Sequence, residues 1–190
     1  LAVRASSLSS PFSGVRLTLL QRLIDLMNAD IIPVIPAEGS VGASGDLTPL
    51  SYVAAVIMGE REVYWKGAIH PTSEVFEKVG FTPMALRPKE ALALMNGTAV
   101  MSALACFAYD RAFYLSQLCS RFTALAVEAL NANRKHFGKR LFEAKPFPGQ
   151  AQVAAWIRED LGMGTNAPAL ERLQAPYSIR CAPHIIGVLS

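Results

Sequence analysis

Three small residues in a row, Ala43, Ser44 and Gly45, carry the most specific chemistry in this chain. They close the run Gly39-Ser40-Val41-Gly42-Ala43-Ser44-Gly45-Asp46, which leads from a proline-flanked stretch into an apolar segment. Gly45 has no side chain, so its amide nitrogen is able to approach the Ala43 carbonyl more closely than any other residue would permit. Attack of that nitrogen on the carbonyl carbon closes a five-membered ring with loss of one water. Loss of the Ser44 hydroxyl as a second water leaves an exocyclic methylene conjugated with the ring. The product would be an electrophile that no ordinary side chain supplies. Ring closure needs backbone compression, which a loop pinned between Pro36 and the segment after Asp46 would impose. Asp46, beside the tripeptide, is placed to help move the protons.

Taken alone, the loop has two other readings. Gly39, Gly42 and Gly45 before a helix also describe a plain turn or a phosphate cradle. The cradle is the weakest: the run contains no Gly-Lys-Ser/Thr, and Asp46 would set a carboxylate where an anion should lie.

The elements that must hold this loop follow from periodicity and punctuation. Ser13-Gly14 opens a helix whose Leu19, Leu20, Leu23, Ile24 and Met27 share one apolar stripe, ending near Asn28. Pro33 and Pro36 keep Ile31 to Glu38 extended. Asp46 reads as the N-cap of a helix reaching Met58, with Pro49 tolerated in its first turn. Glu62 to Trp65 and Ala68 to His70 flank Lys66-Gly67 as a small hairpin. Thr72 caps a short helix ending at Gly80, and Pro88 begins another that meets the polar break Asn96-Gly97-Thr98. Ala99 to Leu130 predicts one long helix, apolar on most faces and suited to the centre of a bundle. Pro146 to Gly149 stops the chain, Gln150 to Leu161 is helical, and Gly162 to Ala169 is a loop. The fold class is therefore mainly α, a helical-bundle fragment with an N-terminal loop region and a small β-hairpin.

Bulk composition bounds the rest. The 190 residues are 52% hydrophobic and only 17% charged, so much of the surface is expected to be covered by neighbouring chain or by other subunits. The sequence is expected to be a piece of something larger. A net charge of +3 is too small for a nucleic-acid footprint. The basic cluster Arg134, Lys135, Lys139 and Arg140 around His136 reads as the solvated end of a helix. Cys106, Cys119 and Cys181 suit reduced, buried thiols of a cytoplasmic protein, and His70, His136 and His184 lack metal-ligand spacing. No membrane partner is expected: the best apolar run, Ala99 to Tyr109, ends at Asp110-Arg111.

Four ordered segments give the loop a context. Gly39 through Leu50 resembles the signature of the aromatic amino acid ammonia-lyase and 2,3-aminomutase family, which includes the histidine, phenylalanine and tyrosine ammonia-lyases. Leu92 to Thr98 resembles the family's Asn-Gly-Thr segment, and Lys145 to Gln150 its Pro-Gly-Gln motif. Gln174 to Cys181 resembles its Gln-x-x-Tyr-Ser-x-Arg segment. The resemblance implies that Ala43, Ser44 and Gly45 form 4-methylideneimidazol-5-one (MIO) and that Asp46 supports its formation. It implies that Asn96 hydrogen-bonds the ring or the substrate amine, and that Arg180 pairs with the substrate carboxylate. Tyr177 and Gln174 would line the site near the ring. The spacing of Gln174, Tyr177 and Arg180 by threes suits one face of a helical turn. The substrate implied is a small aromatic amino acid, and the product an arylacrylate.

The same resemblance sets the scope. Residues 1–87 would end the N-terminal MIO-loop region, and 88–190 would begin the central bundle, as one continuous fragment. The family's base, a tyrosine on a loop, lies upstream of the part present here, and family members are homotetramers with shared sites. This stretch by itself is therefore expected to be inactive. Ala175 stands where relatives often have Asp, and His184 where Gln is usual. Ala169 to Leu173 replaces an Asn-Cys-Asp stretch of histidine-specific relatives, which leans towards phenylalanine or tyrosine. A 2,3-aminomutase with the same cofactor, or a non-catalytic helical interaction domain of the same fold, are the alternatives.

Overall fold

A glycine or proline marks most element boundaries in the computed structural model, which describes residues 1–162 and 173–189. The chain is mainly helical with a small antiparallel sheet. It divides into two units, Leu1–Cys106 and Phe107–Ser190.

In the first unit α1 (Ala2–Ser9) precedes α2 (Leu17–Asn28). The sequence reading started at Ser13 and did not distinguish α1. Leu19, Leu23 and Leu26 are buried along α2, while Ile24 is exposed, so the stripe is rotated from the predicted one. β1 (Ile32–Pro33) follows, then α3 (Leu47–Ile57) after the glycine loop. β2 (Glu62–Trp65) and β3 (Ala68–Pro71) form the predicted hairpin, paired from Glu62 opposite Pro71 to Trp65 opposite Ala68. Both turn residues, Lys66 and Gly67, have positive φ, the geometry that matches strand twist in a two-residue hairpin. β1 adds a third strand against β2 that the sequence reading missed. Pro33 sits on this outer strand, where its missing N–H costs no ladder bond.

α4 (Thr72–Val79) ends at left-handed Gly80. Thr72 is its first residue rather than its cap, and its hydroxyl donates to the Arg61 carbonyl at 2.9 Å. α5 (Glu90–Met95) stops at Asn96, and α6 (Ala99–Ala129) starts three residues later. One apolar cluster, centred on Leu19, Leu23, Ile57, Val63, Phe76 and Leu94, ties α2, α3, α4, α5 and the sheet together.

The division between the units falls within α6. In the second unit, Arg134–Phe137 form a 3-10 turn, followed by α7 (Lys139–Ala144), α8 (Pro148–Asp160), α9 (Tyr177–Arg180) and α10 (Ala182–Ile186). Val127, Phe137, Val153, Ile157 and Ile179 share its core. The basic cluster thus lies on the 3-10 turn and α7, not at a bare helix end. Arg134 pairs with Glu128 and donates to the Leu161 carbonyl. The loop expected after Gly162, and residues 169–172 of the stretch compared with Asn-Cys-Asp, lie outside the described residues.

α6 departs from the sequence reading in two respects, the exposure of its cysteines and its apolar length. Its apolar surface is largely exposed within this chain, with Phe107 at 68% and Tyr114 at 63%. Cys106 and Cys119 are exposed rather than buried for the same reason. Residues 90–129 also contain an 18-residue window of mean hydropathy 1.7, so by length and composition this segment is long and apolar enough to cross a membrane. The sequence reading ended its apolar run at Asp110-Arg111, but a window of that length tolerates one such charged pair.

Candidate active site

The tripeptide sits in a loop bent back on itself. Ala43 and Gly45 pair in an isolated β-bridge across Ser44, and Ala43 and Ser44 are exposed. Gly45 has φ +75°, a left-handed conformation that suits glycine. A Cβ on Gly45 would lie 2.6 Å from the Gly97 carbonyl oxygen, so the backbone of the Asn96-Gly97 break presses directly on the loop. The residues fit a ring made from Ala43, Ser44 and Gly45: the outer two are drawn together, and the serine between them is exposed.

Asp46 locks the loop at three points. It is buried, and its backbone N–H donates to the Gly97 carbonyl at 2.7 Å. Its Oδ1 accepts from the Ser40 hydroxyl at 3.1 Å, and its Oδ2 from the Met101 N–H at 2.8 Å. Asp46 stands at the N-cap position of α3, yet its side chain makes no cap bond there. The carboxylate instead satisfies an orphan donor in the first turn of α6, where the helix dipole favours negative charge. That correction matters for positioning, because one residue now ties the loop to the helix that follows Asn96-Gly97. A groove of about 590 Å³ opens beside it, with Ile35, Ser40, Thr48 and Met101 among its walls.

Asn96 ends α5 with extended backbone, φ −82° and ψ 97°. Its backbone oxygen accepts from Arg4 Nη2 at 2.9 Å, and its side-chain amide has no hydrogen bond among the described residues. The simplest structural role for this asparagine, an amide satisfied at a helix break, is not seen among the described residues. α5 itself is anchored by Glu90, only 4% exposed. Glu90 accepts from Arg16 Nε at 2.8 Å, Arg16 Nη2 at 2.6 Å, and the Arg87 N–H at 2.8 Å. The Arg16 hydrogen bond, above all, holds the Glu90 carboxyl down at about 2.

Gln174, Tyr177 and Arg180 belong to the second unit. Tyr177 and Arg180 share the single turn of α9, while Gln174 precedes Pro176 and lies outside that helix. The Arg180 guanidinium carbon is 4.0 Å from the centroid of the Tyr177 ring, a cation–π contact that fixes its plane. Arg180 Nε is buried and finds no hydrogen-bond partner among the described residues. Tyr177 and Gln174 are exposed.

His136 is a contributor that sequence reasoning missed. Its Nε2 accepts the Ala175 N–H at 3.0 Å, holding the segment between Gln174 and Tyr177. Burial, and then the nearby Arg180 charge, pull its pKa below the ordinary histidine value, which keeps that nitrogen an acceptor. Its place in a basic cluster gave no signal of this. The 3-10 turn Gly187–Leu189 that follows α10 packs closely on the Pro-Gly-Gln segment: a Cβ on Gly187 would come within 2.5 Å of the Gln150 nitrogen. His184, at the position of the family's Gln, packs against Phe142 with ring centroids 5.3 Å apart.

The family profile described as aromatic amino acid lyase matches residues 1–190. Histidine ammonia-lyase of Rhodospirillum rubrum is 41% identical over 197 residues, covering 100% of this chain and 38% of that protein. That of Paracidovorax citrulli is 44% identical over 193 residues, covering 98% and 37%. Among solved structures, phenylalanine aminomutase of Pantoea agglomerans is 33% identical with a TM-score of 0.86, covering 98% of this chain and 39% of that one. Phenylalanine ammonia-lyase from Rhodosporidium toruloides is 35% identical with a TM-score of 0.85, covering 98% and 30%. The chain belongs to the aromatic amino acid lyase family. It spans about two-fifths of the length of these curated relatives.

Proposed function

We propose that the complete protein eliminates ammonia from an aromatic α-amino acid, using an electrophile formed autocatalytically from Ala43, Ser44 and Gly45. The observation that carries this reading is the loop itself: Ala43 and Gly45 paired across an exposed Ser44, with Gly45 pressed on Gly97. Once formed, the 4-methylideneimidazol-5-one supplies an electrophilic methylene carbon. Asp46, held by Ser40 and Met101, fixes the loop for closure. Asn96 offers its side-chain amide to the ring or to the substrate amine. Arg180 takes the substrate carboxylate, as a planar guanidinium is suited to do. Tyr177 holds Arg180 in plane, and Gln174, in the segment before α9, lines the site near the ring.

The histidine ammonia-lyases at 41–44% identity support a histidine substrate, while phenylalanine enzymes among the structural neighbours support the larger ring. The substrate proposed is therefore the aromatic amino acid class. A second reading, 2,3-amino migration, is favoured by the aminomutase structures at TM-scores of 0.85 and 0.86. The protein is further proposed to be a cytoplasmic homotetramer, with residues 88–190 opening its helical bundle and α6 covered there rather than by lipid.

Mass spectrometry of the peptide containing Ala43 to Gly45 tests the electrophile: it should lack two waters. The complete protein should release ammonia from histidine, phenylalanine or tyrosine, and Ser44→Ala should abolish both. A β-amino acid product would select the mutase reading. An unmodified peptide would favour the non-catalytic helical domain.

A further inference from the structure

Arg4 lies in α1, far in sequence from every motif, yet it is 5% exposed and reaches the Asn-Gly break. Its Nε donates to the Leu94 carbonyl at 3.0 Å, and its Nη2 to the carbonyls of Ala93 and Asn96, the latter at 2.9 Å. No carboxylate pairs with Arg4 among the described residues. A buried guanidinium without a counter-ion is costly unless other groups answer its charge. Here the carbonyl end of α5 does so, where the helix dipole is negative.

The contacts run on from there. Gly97 has no room for a side chain, because a Cβ would strike the Arg4 guanidinium. On its other side, Gly97 is the group that crowds Gly45 and accepts the Asp46 N–H at 2.7 Å. Guanidinium, Gly97 backbone and the Ala43-Ser44-Gly45 loop are therefore stacked in consecutive contact. An arginine serving only to cap α5 would need the Ala93, Leu94 and Asn96 carbonyls; the Gly97 contact reaches beyond the helix.

We propose that Arg4 is a positioning residue for cyclisation, a backstop holding Asn96-Gly97 against the loop while setting the backbone that carries the Asn96 amide. This rests on the reading that Ala43 to Gly45 form the electrophile. A lysine at position 4 keeps the charge but reaches fewer carbonyls, and a methionine fills the volume with neither charge nor donor.

The test measures the cyclised fraction of folded, soluble complete protein by intact peptide mass and near-UV absorbance, with thermal unfolding recorded in parallel. In Arg4→Met the cyclised fraction per folded molecule should fall roughly tenfold or more, the scale of a lost charge-assisted contact. Arg4→Lys should recover part of it. A purely structural arginine would lower the melting temperature and leave the cyclised fraction of the folded protein unchanged; that result overturns the proposal. If Arg4→Met does not fold, Arg4→Lys decides alone, and a wild-type cyclised fraction there also overturns it. An unmodified wild-type peptide would overturn the ring reading itself and this inference with it, whereas a cyclised wild type with unaffected variants sinks this inference only.

Discussion

Gly45 must supply a nucleophilic nitrogen while occupying a left-handed conformation with no space for a Cβ. Gly45→Ala puts a methyl 2.6 Å from the Gly97 oxygen and strains a φ of +75°. The cost in stability should be ~1–3 kcal/mol, read as a drop in melting temperature. The larger consequence is chemical, because relief of the clash pushes the loop away from Gly97. The folded variant should therefore keep residues 43–45 as an open, unmodified tripeptide by peptide mass, and a normal two-water loss would contradict this role. Asp46 acts on the same loop by geometry. Both carboxylate oxygens are already engaged, by Ser40 and the Met101 N–H.

At the scale of elements, α5 matters because its last turn carries Asn96 and its first carries Glu90. The Glu90 pKa is lowered in the folded state, to about 2, mainly by its hydrogen bond from Arg16. A depressed carboxyl stabilises the fold fully above its ordinary value near 4.3 and loses that contribution as pH falls towards the folded value. Thermal stability should accordingly fall between about pH 4.5 and pH 2. Glu90→Gln should flatten that acid limb and lower the melting temperature at neutral pH by ~5 °C, as loss of a buried charge partner does. A variant with an unchanged acid limb would show that α5 is held by packing alone. Local signals made most elements readable: the Lys66-Gly67 turn, Gly80 and the prolines each announced a boundary. β1 was hidden because a two-residue strand exists only through its pairing with β2, a tertiary fact. Asp46 does stand at the N-cap position, but its side chain bonds elsewhere for a similar reason, since the donor it meets lies 55 residues away in sequence.

For the whole molecule, the exposed apolar surface of α6 is the dominant feature. Aromatic side chains such as Phe107, Tyr114 and Phe122 face solvent within this chain, which a stable soluble monomer rarely tolerates as a contiguous patch. Expressed by itself, the 190-residue chain should associate or precipitate, and should turn over no aromatic amino acid. Turnover by a monodisperse monomer would contradict that expectation. The motif residues were legible because four segments follow one another in the order of the resembled family, not because any residue type is rare. Arg4 and His136 were not, because their roles depend on carbonyls and N–H groups brought near by folding, and neither belongs to a motif.

The claim on which the rest depends is that Ala43, Ser44 and Gly45 become an electrophile. The most direct measurement is the mass of the peptide spanning residues 43–45 from the complete protein, paired with its near-UV absorbance before and after borohydride. The account predicts a mass short by two waters and an absorbance that borohydride removes. A full-mass peptide with no such absorbance, from folded protein, would contradict it.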